Sequence, residues 1–330
     1  MRYYLGIDLG GTNIKAGVVD EDQRVRSSLS VPTPGKEGPA TTVKAMAEAG
    51  RRAVAEAKLA MSDIRGAGVG APGQLDFQRG VVLNMTNLPG WQNIPITETM
   101  TRELGCPVAL ENDANAAAFG EFWAGAGKDP ATRHLVMLTL GTGIGMGIII
   151  DGRVLHGATG LAGEGGHMIV QPGGRPCNCG QKGCIEAYAS AMHTGRRAEE
   201  AARADAGSSL RTVLDREGRL TSKDLFAAAE KGDALALRLV DETAYYLGIT
   251  CVTLCRLLDP QMIVFAGGMI LAGDMLFDRI RRIYREQSWG LGPGPVRIVP
   301  AELGNDAGFI GAAAVAWDAD KSHTSGARAG

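Results

Sequence analysis

Tyr3-Tyr4-Leu5-Gly6-Ile7-Asp8-Leu9-Gly10-Gly11-Thr12-Asn13-Ile14-Lys15-Ala16-Gly17-Val18-Val19-Asp20 decides how this chain is read. Residues 3–8 and 14–19 form two short strands joined by Leu9-Gly10-Gly11-Thr12-Asn13. A second stretch, His134 to Gly143 and then Gly147 to Gly152, has the same form. Laid over the first at an offset of 131 residues, Asp8 falls on Thr139, Leu9 on Leu140, Gly10 on Gly141 and Asp20 on Asp151. Two copies of strand, glycine turn, strand are the mark of a duplicated fold. They predict one such hairpin in each of two domains, with a cleft between two glycine loops.

The rest of the chain fits that plan. At 330 residues it is long for one core, so two domains are expected. Helical patterns cover Thr42–Met61, Ala116–Ala124, Ile185–Ala202, Ser222–Ala229, Ala234–Leu258, Met275–Gln287 and Ala307–Trp317. Val108-Ala109-Leu110 and Gln261 to Ala266 read as strands, and Pro295–Pro300 as an extended run. The alternation is α/β throughout. The first domain is placed at 1–125, with a C-terminal helix at about 305–320 folding back onto it. The second, larger domain takes 126–304, and the small polar segment 318–330 reads as a frayed tail.

Composition excludes several classes. Formal net charge is −2 and no Lys/Arg block stands out, which argues against a nucleic-acid surface. Apolar runs are broken by Gly, Thr or Asp and are too short to span a bilayer. No charged-then-apolar leader precedes the first strand, so the expected location is the cytoplasm. Gly is 47 residues, about twice the usual share. The glycines cluster in loops, as they do where backbone passes close to a ligand.

Three of those loops stand at strand ends. Asp8-Leu9-Gly10-Gly11-Thr12 lets backbone N–H groups approach a phosphate, with Asp8 placed to hold Mg²⁺ through water and Thr12 to donate to an oxygen. A tight hairpin also calls for Gly-Gly. The loop is not a Walker A loop, since no Gly-Lys-Ser/Thr follows, nor a dinucleotide fingerprint, since a strand and not a helix comes next. Leu140-Gly141-Thr142-Gly143-Ile144-Gly145 is the second loop, and Gly267-Gly268, after a buried strand, suits a base or ribose face. Among the acids, Asp113 follows a hydrophobic strand and starts a helix. A carboxylate so presented can take a proton from a hydroxyl during phosphoryl transfer. The alternative is helix capping, which Asn112 or Asn115 would serve equally well. Asn87-Leu88-Pro89-Gly90-Trp91 is a polar–aromatic loop, His156 reads as a loop histidine and Lys15 as a solvated strand residue.

Glu164-Gly165-Gly166-His167 precedes Cys177-Asn178-Cys179-Gly180-Gln181-Lys182-Gly183-Cys184-Ile185-Glu186. His167, Cys177, Cys179 and Cys184 make a complete tetrahedral zinc set with no open position, so the metal is expected to be structural. A disulfide is the alternative reading, disfavoured in a reducing compartment. Cys106, Cys251 and Cys255 sit in apolar surroundings and read as core. Arg175 and Lys182 are placed to offset the negative site, and Glu164 and Glu186 bracket it.

Taken together, Asp8-Leu9-Gly10-Gly11-Thr12, Glu111-Asn112-Asp113-Ala114-Asn115-Ala116, Leu140-Gly141-Thr142-Gly143 and Glu164-Gly165-Gly166-His167 with its cysteines resemble the ROK family of sugar kinases, its bacterial glucokinases in particular. The resemblance runs from Asp8 to Gly311. It implies an actin-like, ribonuclease-H-like fold of two α/β domains around a cleft. It implies ATP- and Mg²⁺-dependent phosphorylation of a hexose at its 6-hydroxyl, and a homodimer. By that resemblance Asp113 is the base, and Gly73, Asn87, Asn112, Asp113, Glu164, His167 and Glu186 hold the sugar. Asp8, Gly10, Gly11, Thr12, Thr142, Gly143, Gly267 and Gly268 hold the nucleotide. His167 then has two tasks, one ring nitrogen for zinc and the other for sugar. Some members are repressors with an N-terminal DNA-binding domain, which is not expected here. The motifs leave open mannose, N-acetylglucosamine, N-acetylmannosamine, fructose or allose in place of glucose, and polyphosphate in place of ATP. A non-catalytic sugar sensor on the same fold is disfavoured because Asp113 and both loops are intact.

Overall fold

A computed structural model describes residues 1–85, 88–288 and 296–326. Asn87 and Pro295 lie outside them. In chain order the first elements are β1 (Tyr3–Leu9), β2 (Asn13–Asp20), β3 (Val25–Pro32), α1 (Pro39–Glu56) and β4 (Ile64–Ala71). Next come β5 (Gln74–Asp76), β6 (Val81–Asn84), β7 (Gln92–Ile94), α2 (Ile96–Leu104), β8 (Val108–Asn112) and α3 (Asp113–Ala124). The second series opens with β9 (Leu135–Leu140), β10 (Ile144–Ile150) and β11 (Arg153–Val154). Then follow α4 (Glu186–Ala189), α5 (Ala191–Ala204), α6 (Ser209–Glu217), α7 (Ser222–Glu230), α8 (Ala234–Leu258) and β12 (Met262–Ala266). The series ends with α9 (Asp274–Gln287), β13 (Arg297–Pro300) and α10 (Ala307–Gly326).

Sheet order shows the duplication directly. One sheet runs β3-β2-β1-β4-β8 and the other β11-β10-β9-β12-β13. Each begins with the strand–glycine loop–strand unit read from the sequence and adds two parallel strands beyond it. A small third sheet, β5-β6-β7, stands apart. By packing, the chain separates into two compact units, 1–132 with 147–163 and 302–330, and 133–146 with 164–301. No helix of the described residues is long and apolar enough to cross a membrane.

In the first unit the alternation of β1 settles which side carries chemistry. Leu5 and Ile7 are fully buried and meet α1, where Gly50 leaves room for both. Tyr4, Gly6 and Asp8 point the other way, toward α10. That helix lies unusually close to the sheet. A Cβ on Gly6 would sit 1.8 Å from the Phe309 carbonyl oxygen, and one on Gly68 1.8 Å from that of Ala312. Any side chain at either glycine lifts the helix off. α10 runs antiparallel to β1, so its N-terminal turn covers Asp8 and its far end reaches Tyr4, whose hydroxyl donates to Asp320 at 3.0 Å.

Several boundaries differ from the sequence reading. α1 starts at Pro39, suited to a first helical turn, and ends by Lys58, whose φ is +59°. The single helix expected over Ile185–Ala202 is two, because Ser190 leaves the helix and caps α5 through His193 N–H at 3.2 Å. The tail expected from Asp318 is helical to Gly326. Asp320 gives the reason: it is tied to Tyr4 and to Arg65 at 3.2 Å.

Candidate active site and metal centre

Asp8 closes β1 and pairs across the hairpin with Lys15 of β2. Its carboxylate lies under the first turn of α10, where a Cβ on Gly308 would sit 2.3 Å from Oδ2. Gly70 of β4 separates Asp8 from Asp113: its Cβ position is 3.7 Å from Asp8 Oδ1 and 3.9 Å from the Cα of Asp113. Burial pushes the Asp8 carboxyl up to about 6; the charge of Asp113 adds to the rise and Lys15 opposes it. Lys15 is half-buried and donates to the Asn305 carbonyl at 2.5 Å, not the solvated residue read from the sequence. Leu9 pairs with Ile14 across the four residues Gly10–Asn13, and that register puts Asp8 opposite Lys15. The loop itself is held by Thr33, which donates its hydroxyl to Gly10 O at 2.7 Å and its N–H to Thr12 O at 2.8 Å. Gly11 and Thr12 are exposed, and nothing lies within 4 Å of a Cβ on Gly11.

The turn from β8 into α3 answers the capping question. Asn112 is the cap: its Oδ1 accepts from the N–H groups of Ala114 at 3.0 Å and Asn115 at 3.3 Å. Asp113 stands on the first helical turn, and its own Oδ1 shares the Ala114 N–H at 2.9 Å. Beneath it Glu111 is 3% exposed. Glu111 Oε1 accepts from Asn112 N at 2.9 Å and Asn115 Nδ2 at 3.0 Å, and Oε2 meets His156 Nε2 at 2.7 Å. His156 also packs on the Phe77 ring, centroids 4.2 Å apart. Its bond to Glu111 holds the imidazole pKa above the usual value. The sequence reading gives His156 only as a loop histidine and Glu111 only as part of a motif, because the two are 45 residues apart and share no local pattern. Gly73 has a conformational reason for being glycine: φ is +95° and a Cβ would strike the Asn84 carbonyl at 2.3 Å.

In the second unit the other loop is organised by Glu186. Its Oε2 accepts the Ile144 N–H at 3.0 Å and would touch a Cβ on Gly143 at 2.3 Å. Its Oε1 faces Cys177 Sγ at 3.6 Å. Glu186 thus ties the Gly141–Gly143 loop to the cysteine cluster, while Thr142 remains exposed. Gly267 has φ +91° and its Cβ position is 2.5 Å from Leu140 O, so the turn after β12 lies against the end of β9. Gly268 opens on free space.

The four metal-ligand candidates come together. One ligand atom from each of His167, Cys177, Cys179 and Cys184 falls within 4.8 Å of the others. Cys177 Sγ is 3.7 Å from His167 Nδ1, and Cys179 Sγ is 3.7 Å from Cys184 Sγ. Tetrahedral ligands at zinc–sulfur distances of about 2.3 Å are separated by about 3.8 Å, so the set fits the ion. The loop is built for it. Cys177 N–H bonds Gln181 O at 2.9 Å, and Gly180 and Gly183 take φ of +91° and +88°. The backbone N–H of Gln181 lowers the Cys179 thiol to about 7. Gly165 and Gly166 press on Met146 and Ile144, leaving no space for a Cβ at either. This presents His167 with Nδ1 toward the cysteines and Nε2 toward Glu164, 4.0 Å away. Arg175, expected to offset the cluster's charge, instead pairs with both oxygens of Glu200 at 2.6 Å.

Two mixed sheets of the same strand order, each opening on a glycine-loop hairpin, define a protein of the actin-like, ribonuclease-H-like α/β class. The ROK family model matches residues 4–319, and the chain belongs to the ROK family. It is 39% identical to the glucokinase of Halalkalibacterium halodurans, over 94% of this chain and 93% of that protein. It is 33% identical to the N-acetylmannosamine kinase of Citrobacter koseri, over 94% of this chain and 98% of the other. Among solved structures, a ROK family glucokinase from Streptomyces griseus in complex with glucose and AMPPNP aligns at TM-score 0.76 and 34% identity, covering 96% of this chain and 99% of that one.

Proposed function

We propose that this protein transfers the terminal phosphoryl group of ATP to the 6-hydroxyl of glucose, with Asp113 as the general base. The observation that carries the reading is the placing of Asp113 on the first turn of α3, across Gly70 from Asp8, on a turn held from below by Glu111. Asp113 takes the hydroxyl proton as the sugar oxygen attacks phosphorus. Backbone N–H groups of Gly10, Gly11 and Thr12, and of Thr142 and Gly143, receive phosphate oxygens. Gly267 and Gly268 flank the nucleoside. Asp8, whose carboxyl Lys15 pulls down against burial and the charge of Asp113, would hold Mg²⁺, which would supply charge neutralisation on the phosphates. Asn112, Glu164, His167 and Glu186, with Gly73 and Asn87, hold the sugar hydroxyls. Zinc on His167, Cys177, Cys179 and Cys184 keeps Glu164 and Glu186 in place and takes no part in the transfer. The working form is a cytoplasmic homodimer that binds neither nucleic acid nor membrane, a state that light scattering on the purified protein tests.

Glucose is favoured over other hexoses by the 39% identity to a glucokinase against 33% to an N-acetylmannosamine kinase. Initial rates on glucose, mannose, N-acetylglucosamine, N-acetylmannosamine, fructose and allose, each with ATP and with polyphosphate, test it. A kcat/KM on N-acetylmannosamine or fructose well above that on glucose overturns the glucose assignment. No transfer to any of the six, with sugar still bound, overturns the kinase reading in favour of a sensor.

A further inference from the structure

We propose that His156 is a positioning residue for the catalytic turn, acting through Glu111. The inference rests on the reading of Asp113 as base. Glu111 is 3% exposed, and burying a carboxylate is costly unless both oxygens are satisfied. Its Oε1 closes a ring of bonds over 111–115. Glu111 takes the Asn112 N–H and the Asn115 side-chain amide, and Asn112 Oδ1 takes the Ala114 and Asn115 N–H groups. Asp113 sits on that ring. The other oxygen, Oε2, is held from outside it, by His156 at 2.7 Å. An ionised carboxylate only accepts, so Nε2 carries the proton in this bond. Phe77 fixes the ring plane of His156. Without His156, Glu111 is left with a buried unpaired oxygen, and its cheapest relief is rotation toward water. That rotation opens the ring and lets Asp113 drift from the line of proton transfer.

The same segment gives His156 its leverage. It lies two residues past β11 and shares the first compact unit with Glu111 and Asp113. An anchor of this kind acts on geometry and leaves nucleotide binding alone.

The test compares His156→Leu, which removes the donor, with His156→Gln, which keeps an N–H of similar reach, in the full-length enzyme. His156→Leu should lower kcat about 10–100-fold, the scale of a misplacement of about 1 Å. The KM for ATP should stay within about twofold, and His156→Gln should recover most of the lost kcat. Glu111→Gln with His156→Leu should be no worse than Glu111→Gln. A His156→Leu enzyme with kcat within about twofold of the parent overturns the proposal. So do equal losses in the Leu and Gln variants that track a fall in melting temperature, since those mark a merely structural histidine. Asp113→Asn run alongside keeps the two claims apart. If it retains turnover while His156→Leu does not, the turn is positioned as argued but its working residue is not Asp113.

Discussion

Replacing Asp8 by Asn should make the ligand-free protein more stable while disabling it as a kinase. Burial beneath α10 and the charge of Asp113 raise the Asp8 carboxyl from 3.8 to about 6, against the pull of Lys15. A folded state that holds its proton more tightly than the unfolded chain loses stability as pH rises, because the unfolded chain ionises first. The contribution is nil below about pH 4, grows through about pH 6 and is constant above. A tenfold change in acid dissociation is worth about 1.4 kcal/mol, so the ionised carboxylate costs the native state about 3 kcal/mol at neutral pH. The water that still reaches this half-buried group trims the figure toward about 2 kcal/mol. Asn has the same shape and no charge to desolvate. Urea unfolding of both proteins at intervals from about pH 4.5 to 7.5, in magnesium-free buffer, reads the difference. Titrating groups remote from Asp8 are common to both and cancel. The gap should open with rising pH and reach about 2–3 kcal/mol in favour of Asp8→Asn, while Mg²⁺ with nucleotide should stabilise the parent far more than the variant. A variant less stable than the parent at pH 7, or a gap that does not change with pH, refutes the reasoning.

Asp113→Asn keeps the shape of the turn and removes the base; kcat should fall about 10²–10⁴-fold with sugar affinity largely kept, and near-normal turnover would send the search for the base elsewhere. Gly143→Ala puts a methyl 2.3 Å from Glu186 Oε2 and should break its bond to Ile144 N–H. Unfolding free energy should drop by about 1.5–3 kcal/mol, and a loss under about 0.5 kcal/mol would mean that the loop yields instead. The purified protein should carry a single zinc ion per chain on the His167 and cysteine cluster, and its removal should raise the sugar KM and lower the melting temperature together. A zinc-free sample that phosphorylates sugar at full rate would dispose of that role.

Some of this architecture is local, and so it was legible. The two hairpins stand out because strand period and glycine turn are properties of neighbouring residues. α8 is read to the residue for the same reason, an amphipathic run ended by Asp259-Pro260. β3 escaped notice because an edge strand that alternates between exposed and half-buried residues has no apolar signature. The short strands β5 and β7, and α2 and α6, were missed because few residues carry each pattern. At the candidate site, the place of Asp113 at a helix start and the grouping of His167 with three cysteines were visible from element ends and spacing. Glu111 entered only as part of a family motif, since burial and not residue type sets its place.

What the amino-acid order by itself determined is the duplication, the α/β class, the cluster of His167 with three cysteines and the family. Those depend on contacts a few residues apart or on motifs repeated at a distance. The tertiary structure decided what each charged group faces. Register across a hairpin set Lys15 against Asp8, and the close seat of α10 on Gly6 and Gly68 buried that acid. A bond spanning 45 residues set His156 under the Asn112–Asp113 turn, and a missing side chain at Gly143 admitted Glu186 to the second loop. Charge and burial act through space, so a carboxylate's ionisation and partners follow from where the chain returns, which one-dimensional order does not display.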